Sequence, residues 1–140
     1  MSSDSAGVSI LWDMSKLQYI RTLIDDDSVY GYAKLTCVSD TLGDLAVVSY
    51  RYDGEQKVSS SRMDVFTING HSIGQIETNE HSPYITSLCY STCSEGLCIN
   101  VIVTGLFNGA IKMWSSWDLT LVRKIKLKAD IPIRRYVQMI

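Results

Sequence analysis

The chain has 140 residues, 46% hydrophobic and 20% charged, with a formal net charge of -2. That composition belongs to one small globular domain and excludes a disordered chain. The near balance of charge excludes a strong non-specific pull on nucleic acid or on an anionic membrane. No apolar run approaches the ~18 residues of a membrane span. The start, MSSDSAGVS, has neither the basic nor the apolar region of a secretory signal. With no Asn-x-Ser/Thr sequon, the chain reads as cytoplasmic.

From the N-terminus, Val8 to Asp13 alternates, with Val8, Ile10 and Trp12 on one face and Ser9, Leu11 and Asp13 on the other. A turn at Met14-Ser15-Lys16 leads to a strand over 17–23. Asp25-Asp26-Asp27-Ser28 lacks the alternating oxygens and glycine turn of a calcium loop and reads as a solvated connection. Strands are expected at 32–39 and 45–52, separated by the turn formers of Asp40-Thr41-Leu42-Gly43-Asp44. The polar segment 53–61, DGEQKVSSS, has no apolar period and reads as a surface insertion. Strands around 62–68 and 72–77 follow, with the Asn69-Gly70 hairpin signal between them.

Residues 84–91 form the next expected strand, SEGLC a turn, and INVIVTGL (99–106) a run buried on both faces. Asn108-Gly109 turns the chain, AIKMWS returns it, and LTLVRKIKL is expected to be the outermost strand. Beyond 127 the pattern fades into a divergent tail, or the start of a further unit, over 128–140. No segment carries a helical period.

A seventeen-residue pattern occurs twice, 102 positions apart: GVSILWDMSKLQYIRTL at 7–23 and GAIKMWSSWDLTLVRKI at 109–125. Gly7 aligns with Gly109, Trp12 with Trp114, Leu17 with Leu119 and Arg21 with Arg123. A weaker copy, RMDVFTINGHSIGQI at 62–76, has Phe66 at the tryptophan position. Repeats of roughly 40–45 residues, each building four strands, make propeller blades. The expected fold is therefore all-β, a partial WD40 β-propeller of about two and a half four-stranded antiparallel blades. Its units are 1–23 (the second half of a blade), 24–77 (a blade with the insertion 53–61), 78–127 (a blade) and 128–140.

The ordered phrases Trp12-Asp13-Met14…Leu17, Phe66-Thr67-Ile68-Asn69-Gly70 and Ile99 through Leu119 resemble the C-terminal WD40 region of BEACH-domain proteins. Among these, the chain looks most like those that govern lysosomal trafficking. The resemblance covers about residues 7–128. It implies a non-catalytic scaffold for protein partners in lysosome and vesicle trafficking, cytoplasmic and peripheral to endosomal or lysosomal membranes. It also implies a longer propeller and a BEACH domain as the scaffold's remainder. In complete WD repeats a His joins a strand Ser/Thr, a turn Asp and the Trp in one hydrogen-bonded set. The matching positions here are His81, Thr104, Asn108 and Trp114, with Asn108 in place of the acid, so a weaker set is expected. The last ten residues depart from the family's next strand.

Catalytic and metal chemistry find little purchase. His71 is expected in an exposed turn, and nothing marks a serine as activated by a base held on an acid. The carboxylates Glu77 and Glu80, and Asp25 to Asp27, fall in loops without an apolar pocket to shift them. There is no Gly-rich phosphate loop. Cys37, Cys89, Cys93 and Cys98 lack paired knuckles and an intervening His, so no zinc site is expected. Cys37 and Cys89 read as small apolar residues facing inward. No catalytic residue, cofactor or metal is assigned.

The basic run Arg123, Lys124, Lys126, Lys128, Arg134 and Arg135, with Asp130 the one acid, reads as a solvated strand face. Trp12, Phe66 and Trp114 are expected as blade-core aromatics. Trp117 has no repeat partner; it is either folded over the blade edge or an exposed contact anchor. Two functions stand against each other: an interaction platform using the loops at 53–61 and 115–118, and a fragment or truncated product with no independent function. An adaptor fragment of another complex is the remaining alternative, and an enzyme has no residue to carry it.

Overall fold

A computed structural model describes residues 1–4, 7–24, 29–79, 82–91, 100–127 and 132. Every regular element among them is a β-strand: β1 (Ser2–Ser3), β2 (Ser9–Asp13), β3 (Gln18–Ile24), β4 (Tyr32–Val38), β5 (Leu45–Tyr52), β6 (Val58–Phe66), β7 (Ser72–Glu77), β8 (Ile85–Ser91), β9 (Val101–Leu106), β10 (Ala110–Ser115) and β11 (Leu121–Lys126). They form three sheets, one of three strands and two of four. Within each sheet, strands adjacent in sequence pair antiparallel. Consecutive meanders of this kind are the blades of a partial β-propeller. No helix among the described residues is long and apolar enough to cross a membrane.

The central strands explain why the sheets stack. Leu45 through Tyr50 of β5 are buried without interruption, as are Ile102 through Leu106 of β9. A strand buried on both faces needs a cover on each. The second and third sheets supply one another with it. Ala46, Val48, Tyr50, Met63 and Val65 from the second join Ile85, Tyr90 and Ile102 from the third in one apolar cluster. The first strands of the two sheets, β4 and β8, lie side by side. The Tyr50 hydroxyl crosses the seam to donate to the Ile85 carbonyl at 2.6 Å. The Tyr84 ring stacks on Phe107 at 4.8 Å and meets Tyr50 edge-on at 5.9 Å.

The repeat read from the sequence is a repeat of backbone shape. In each sheet the last hairpin carries a bulge immediately before the aromatic: between Leu11 and Trp12, Val65 and Phe66, Met113 and Trp114. The aromatics pair with Tyr19, Ser72 and Leu121 respectively. Two residues before each of those partners stands a residue in the left-handed conformation: Leu17 (φ 52°), Gly70 (φ 77°) and Leu119 (φ 58°). The middle hairpin is one residue shorter, which is why the sequence alignment of Leu17 with Leu119 does not extend to Gly70.

Several expectations need correcting. The insertion 53–61 is only a tight turn over Asp53–Lys57, because Val58–Ser61 opens β6. Ser60 and Ser61 are buried there and satisfied by hydrogen bonds, which polarity alone conceals. The Ser61 hydroxyl pairs with Thr78 Oγ1 at 3.0 Å and accepts from the Ile85 amide at 2.9 Å, while Ser60 meets the Tyr30 hydroxyl at 3.2 Å. Asn69-Gly70 is no two-residue turn. Gly70 alone has a positive φ, and the loop runs from Thr67 to His71, closed by Gly70 N to Thr67 O at 2.8 Å. That is the shape of a turn followed by a left-handed residue beside a bulge. The first sheet has a third, two-residue strand at Ser2–Ser3 beyond the two expected. On β2 the buried face is Ser9 and Leu11, not that of Trp12.

Ser61 joins the sheets through the Ile85 amide, so its loss leaves a buried donor unpaired. Ser61→Ala is expected to lower unfolding free energy by about 1–3 kcal/mol. Urea denaturation checks this, with the exposed Ser72→Ala expected to stay within about 0.5 kcal/mol of the parent.

Candidate functional site

The β10–β11 turn holds Trp117 in place from both sides. The Ser115 amide donates to the Thr120 carbonyl at 2.9 Å, and the Leu119 amide donates to the Ser115 carbonyl at 3.0 Å. Asp118 Oδ1 accepts from the Thr120 amide at 3.1 Å and from its hydroxyl at 2.9 Å. The Trp117 amide donates to Ser115 Oγ at 3.3 Å. Ser116 is buried, and its amide reaches the Asn100 carbonyl at 3.1 Å. The Ser115 hydroxyl, then the Thr120 amide and hydroxyl, hold the Asp118 carboxyl below its usual range. Between these pinned residues the Trp117 indole stands out, 90% exposed. It does not fold over the sheet edge.

Beneath the indole, a cleft of about 470 Å³ is lined by Leu42, Asp44, Thr67, Ile73, Ser116 and Trp117. It opens where the β4–β5 loop, the β6–β7 loop and the β10–β11 turn converge. Leu42 adds exposed apolar surface to its lining. Burial pushes the Asp44 carboxyl above its ordinary value. An apolar floor with one carboxylate at the wall suits an apolar side chain adjoining a hydrogen-bond donor.

Of the four-member polar set, two are joined: Trp114 Nε1 donates to Thr104 Oγ1 at 2.9 Å. Asn108 turns its side chain to its own loop, where Oδ1 accepts from the Ala110 amide at 3.2 Å. His81 lies outside the described residues, as do Glu80, Asp25 to Ser28, Cys93, Cys98, Asp130, Lys128, Arg134 and Arg135. The Lys112 ammonium lies 5.3 Å over the Trp114 ring, and burial together with Lys124 lowers its pKa.

The aromatics expected in blade cores divide. Trp114 packs against the apolar cluster, in the seam with Ile76 of the preceding sheet. Phe66 is half-buried. Trp12 is a surface residue, 38% exposed, donating to Ser2 Oγ at 2.8 Å and meeting Tyr19 edge-on. The reason is positional: the matching face of the third sheet is covered by the second, and no sheet of the described residues covers that of the first. His71 is in an exposed turn, as expected. Cys37 and Cys89 are half-buried. Burial and the neighbouring Cys89 push the Cys37 thiol up to about 12, so it is protonated and unreactive at neutral pH.

Two contacts between sheets had no assigned role in the sequence. Arg21 Nη1 donates to the Asn69 carbonyl of the next sheet, and a Cβ at Gly70 would stand 2.9 Å from Arg21 Cδ. A Cβ at Gly74 would stand 3.1 Å from Leu119 Cδ1. The alignment of Leu17 with Leu119 and Arg21 with Arg123 was the available signal; the glycines that receive these side chains are not visible without the packing.

Comparison with known proteins gives relatives that include two proteins of one name. The human protein named "Lysosomal-trafficking regulator" is 35% identical over 128 residues, 91% of this chain and 3% of that protein. The Drosophila melanogaster protein of the same name is 40% identical over 54 residues, 39% of this chain and 2% of that protein. The chain is homologous to a short stretch of the lysosomal-trafficking regulator. It therefore spans about 3% of the length of the human regulator. No family model matches the chain.

Two outcomes are expected at this seam. Thr104→Val removes the acceptor of the Trp114 indole N–H and is expected to cost about 1–3 kcal/mol, read by urea unfolding. Asp118 has a folded pKa below its unfolded value, so its contribution is present above the unfolded pKa and is lost as pH falls through the folded one. The Trp117 indole resonance followed by NMR is expected to lose its dispersion across that acidic window, and to lack the step in Asp118→Asn.

Proposed function

We propose that this chain is a non-catalytic protein-interaction scaffold, a WD-repeat piece of a BEACH-type protein acting in lysosome and vesicle trafficking. The observation that carries the reading is Trp117, held almost wholly exposed by a turn pinned at Ser115, Asp118 and Thr120 over an apolar cleft. An exposed indole on a rigid turn loses little conformational entropy on docking, and tryptophan is enriched among residues that dominate binding energy. The homology to the lysosomal-trafficking regulator supplies the cellular setting. In this reading the protein acts in the cytoplasm, binds protein partners through the loops around the cleft, and performs no chemistry of its own.

The sheets support the same reading from another side. Ser61, Thr78, Thr104 and Tyr50, buried polar residues of the second and third sheets, use their hydroxyls to close turns and seams.

Proximity labelling in cells, with a biotin ligase fused to the full chain, tests the scaffold. Trp117→Ala is expected to remove a set of labelled proteins of endosomal and lysosomal membranes. Its thermal melt should match the parent, because Trp117 packs on little. For a partner so identified, binding to Trp117→Ala is expected to weaken about thirtyfold, the scale of a residue worth about 2 kcal/mol. Identical labelling by parent and variant would overturn the reading.

A further inference from the structure

Three loops meet at the cleft below Trp117, and each is locked by its own hydrogen bonds. In the β4–β5 loop the Ser39 amide donates to the Asp44 carbonyl at 2.8 Å, and the Gly43 amide to the Ser39 carbonyl at 3.0 Å. In the β6–β7 loop the Thr67 amide donates to the His71 carbonyl at 2.9 Å, and the His71 amide to Thr67 Oγ1 at 3.2 Å. The β10–β11 turn is held by Ser115 and Asp118. Walls fixed before an occupant arrives lose little entropy when it binds.

These loops carry one sign of charge. Residues 39–44, 67–71 and 116–120 include Asp40, Asp44 and Asp118, with His71 and with no lysine or arginine. Arg21 reaches the β6–β7 loop from the first sheet, but its guanidinium is committed to the Asn69 carbonyl. Of the three carboxylates, Asp44 lines the cleft. It is half-buried, and its side chain makes no hydrogen bond or ion pair with the described residues.

An occupant therefore meets three demands at once. It brings a positive donor to Asp44, because an apolar group there would strand a half-buried carboxylate without a partner. It covers the apolar side chains of Leu42 and Ile73, and it lies against the Trp117 indole. An anion fails the first demand. A lysine ammonium is a compact, strongly hydrated charge, costly to bring to a half-buried acid. A guanidinium is planar and weakly hydrated, stacks on an aromatic face, and meets a carboxylate with two parallel N–H donors. Its methylene stem covers apolar surface.

We infer that the cleft beneath Trp117 takes an arginine side chain of a partner protein. Its guanidinium pairs with Asp44 and stacks on the Trp117 indole, while its stem lies over Leu42 and Ile73. The inference rests on the scaffold reading for the partner's being a protein, and adds which side chain of that partner is read.

Random peptides displayed on phage and selected on the full chain test it. Over the background selected on Trp117→Ala, arginine is expected to be enriched at one position. Selection on Asp44→Asn, which removes the charge and keeps the shape, is expected to lose that arginine. The Asp44 side chain has no partner in the chain, so this replacement leaves folding intact. In a selected peptide, citrulline in place of the arginine removes the charge and keeps the outline. Titration calorimetry is expected to show about tenfold weaker binding to the parent and unchanged binding to Asp44→Asn. Three results would each overturn the inference: no arginine preference over the Trp117→Ala background, lysine or an acidic residue enriched in its place, or an equal citrulline loss on parent and Asp44→Asn.

Proximity labelling with Asp44→Asn separates this inference from the scaffold reading. Loss of the same labelled set in Trp117→Ala and in Asp44→Asn supports both. Loss in Trp117→Ala alone overturns the arginine and leaves the scaffold standing. Arginine-selective peptides together with identical labelling by parent and both variants overturn the scaffold's cellular role and uphold the site's choice of side chain.

Discussion

Burial between neighbouring sheets is the constraint from which the rest follows. A sheet whose central strand is apolar on both faces cannot stand in water alone, and β5 and β9 are both of that kind. Their shared cluster, from Ala46 to Ile102, is built from residues of two sheets at once. Some buried hydroxyls are then placed by the neighbouring sheet as much as by their own strand. The Tyr50 hydroxyl on the Ile85 carbonyl and the Ile85 amide on Ser61 are bonds of this kind, formed between sheets and not within one. Burial of apolar area supplies the attraction, at roughly 25 cal/mol per Å². The polar seam fixes the position at which it is realised.

Much of the fold was legible in the sequence because meanders have local rules. Alternation marked β2, a continuous apolar run marked β9, and the aromatic repeat marked three equivalent hairpins. What stayed hidden was polar matter that is buried. Val58–Ser61 looked like a loop because three of its four residues are serines, yet two of them are satisfied by Tyr30, Thr78 and Ile85. Hydropathy cannot see a partner that is distant in the chain. The placement of Trp12 was misread for a related reason: its position is equivalent to that of Trp114, but equivalence in a repeat does not supply the neighbour that covers it.

The candidate site was legible in part. Trp117 stood out because its counterpart in the repeat is Ser15 and not an aromatic. Its cleft did not, since Leu42, Thr67 and Ile73 come from loops and a strand of a different sheet. Of the expected polar set, the Trp114–Thr104 bond is present, while Asn108 closes its own turn. An amide carbonyl oxygen can accept from a nearby N–H, though without the charge that strengthens a carboxylate's hydrogen bond.

The middle closing hairpin is one residue shorter than the other two, yet each of the three keeps its left-handed residue two places before the partner of its aromatic. The ruler is thus laid from the returning strand. A deletion in such a loop shifts what comes before the kink and spares everything after it. Evolution can therefore shorten or recompose these turns freely on their outward side, while the residue aimed at the adjoining sheet keeps its address.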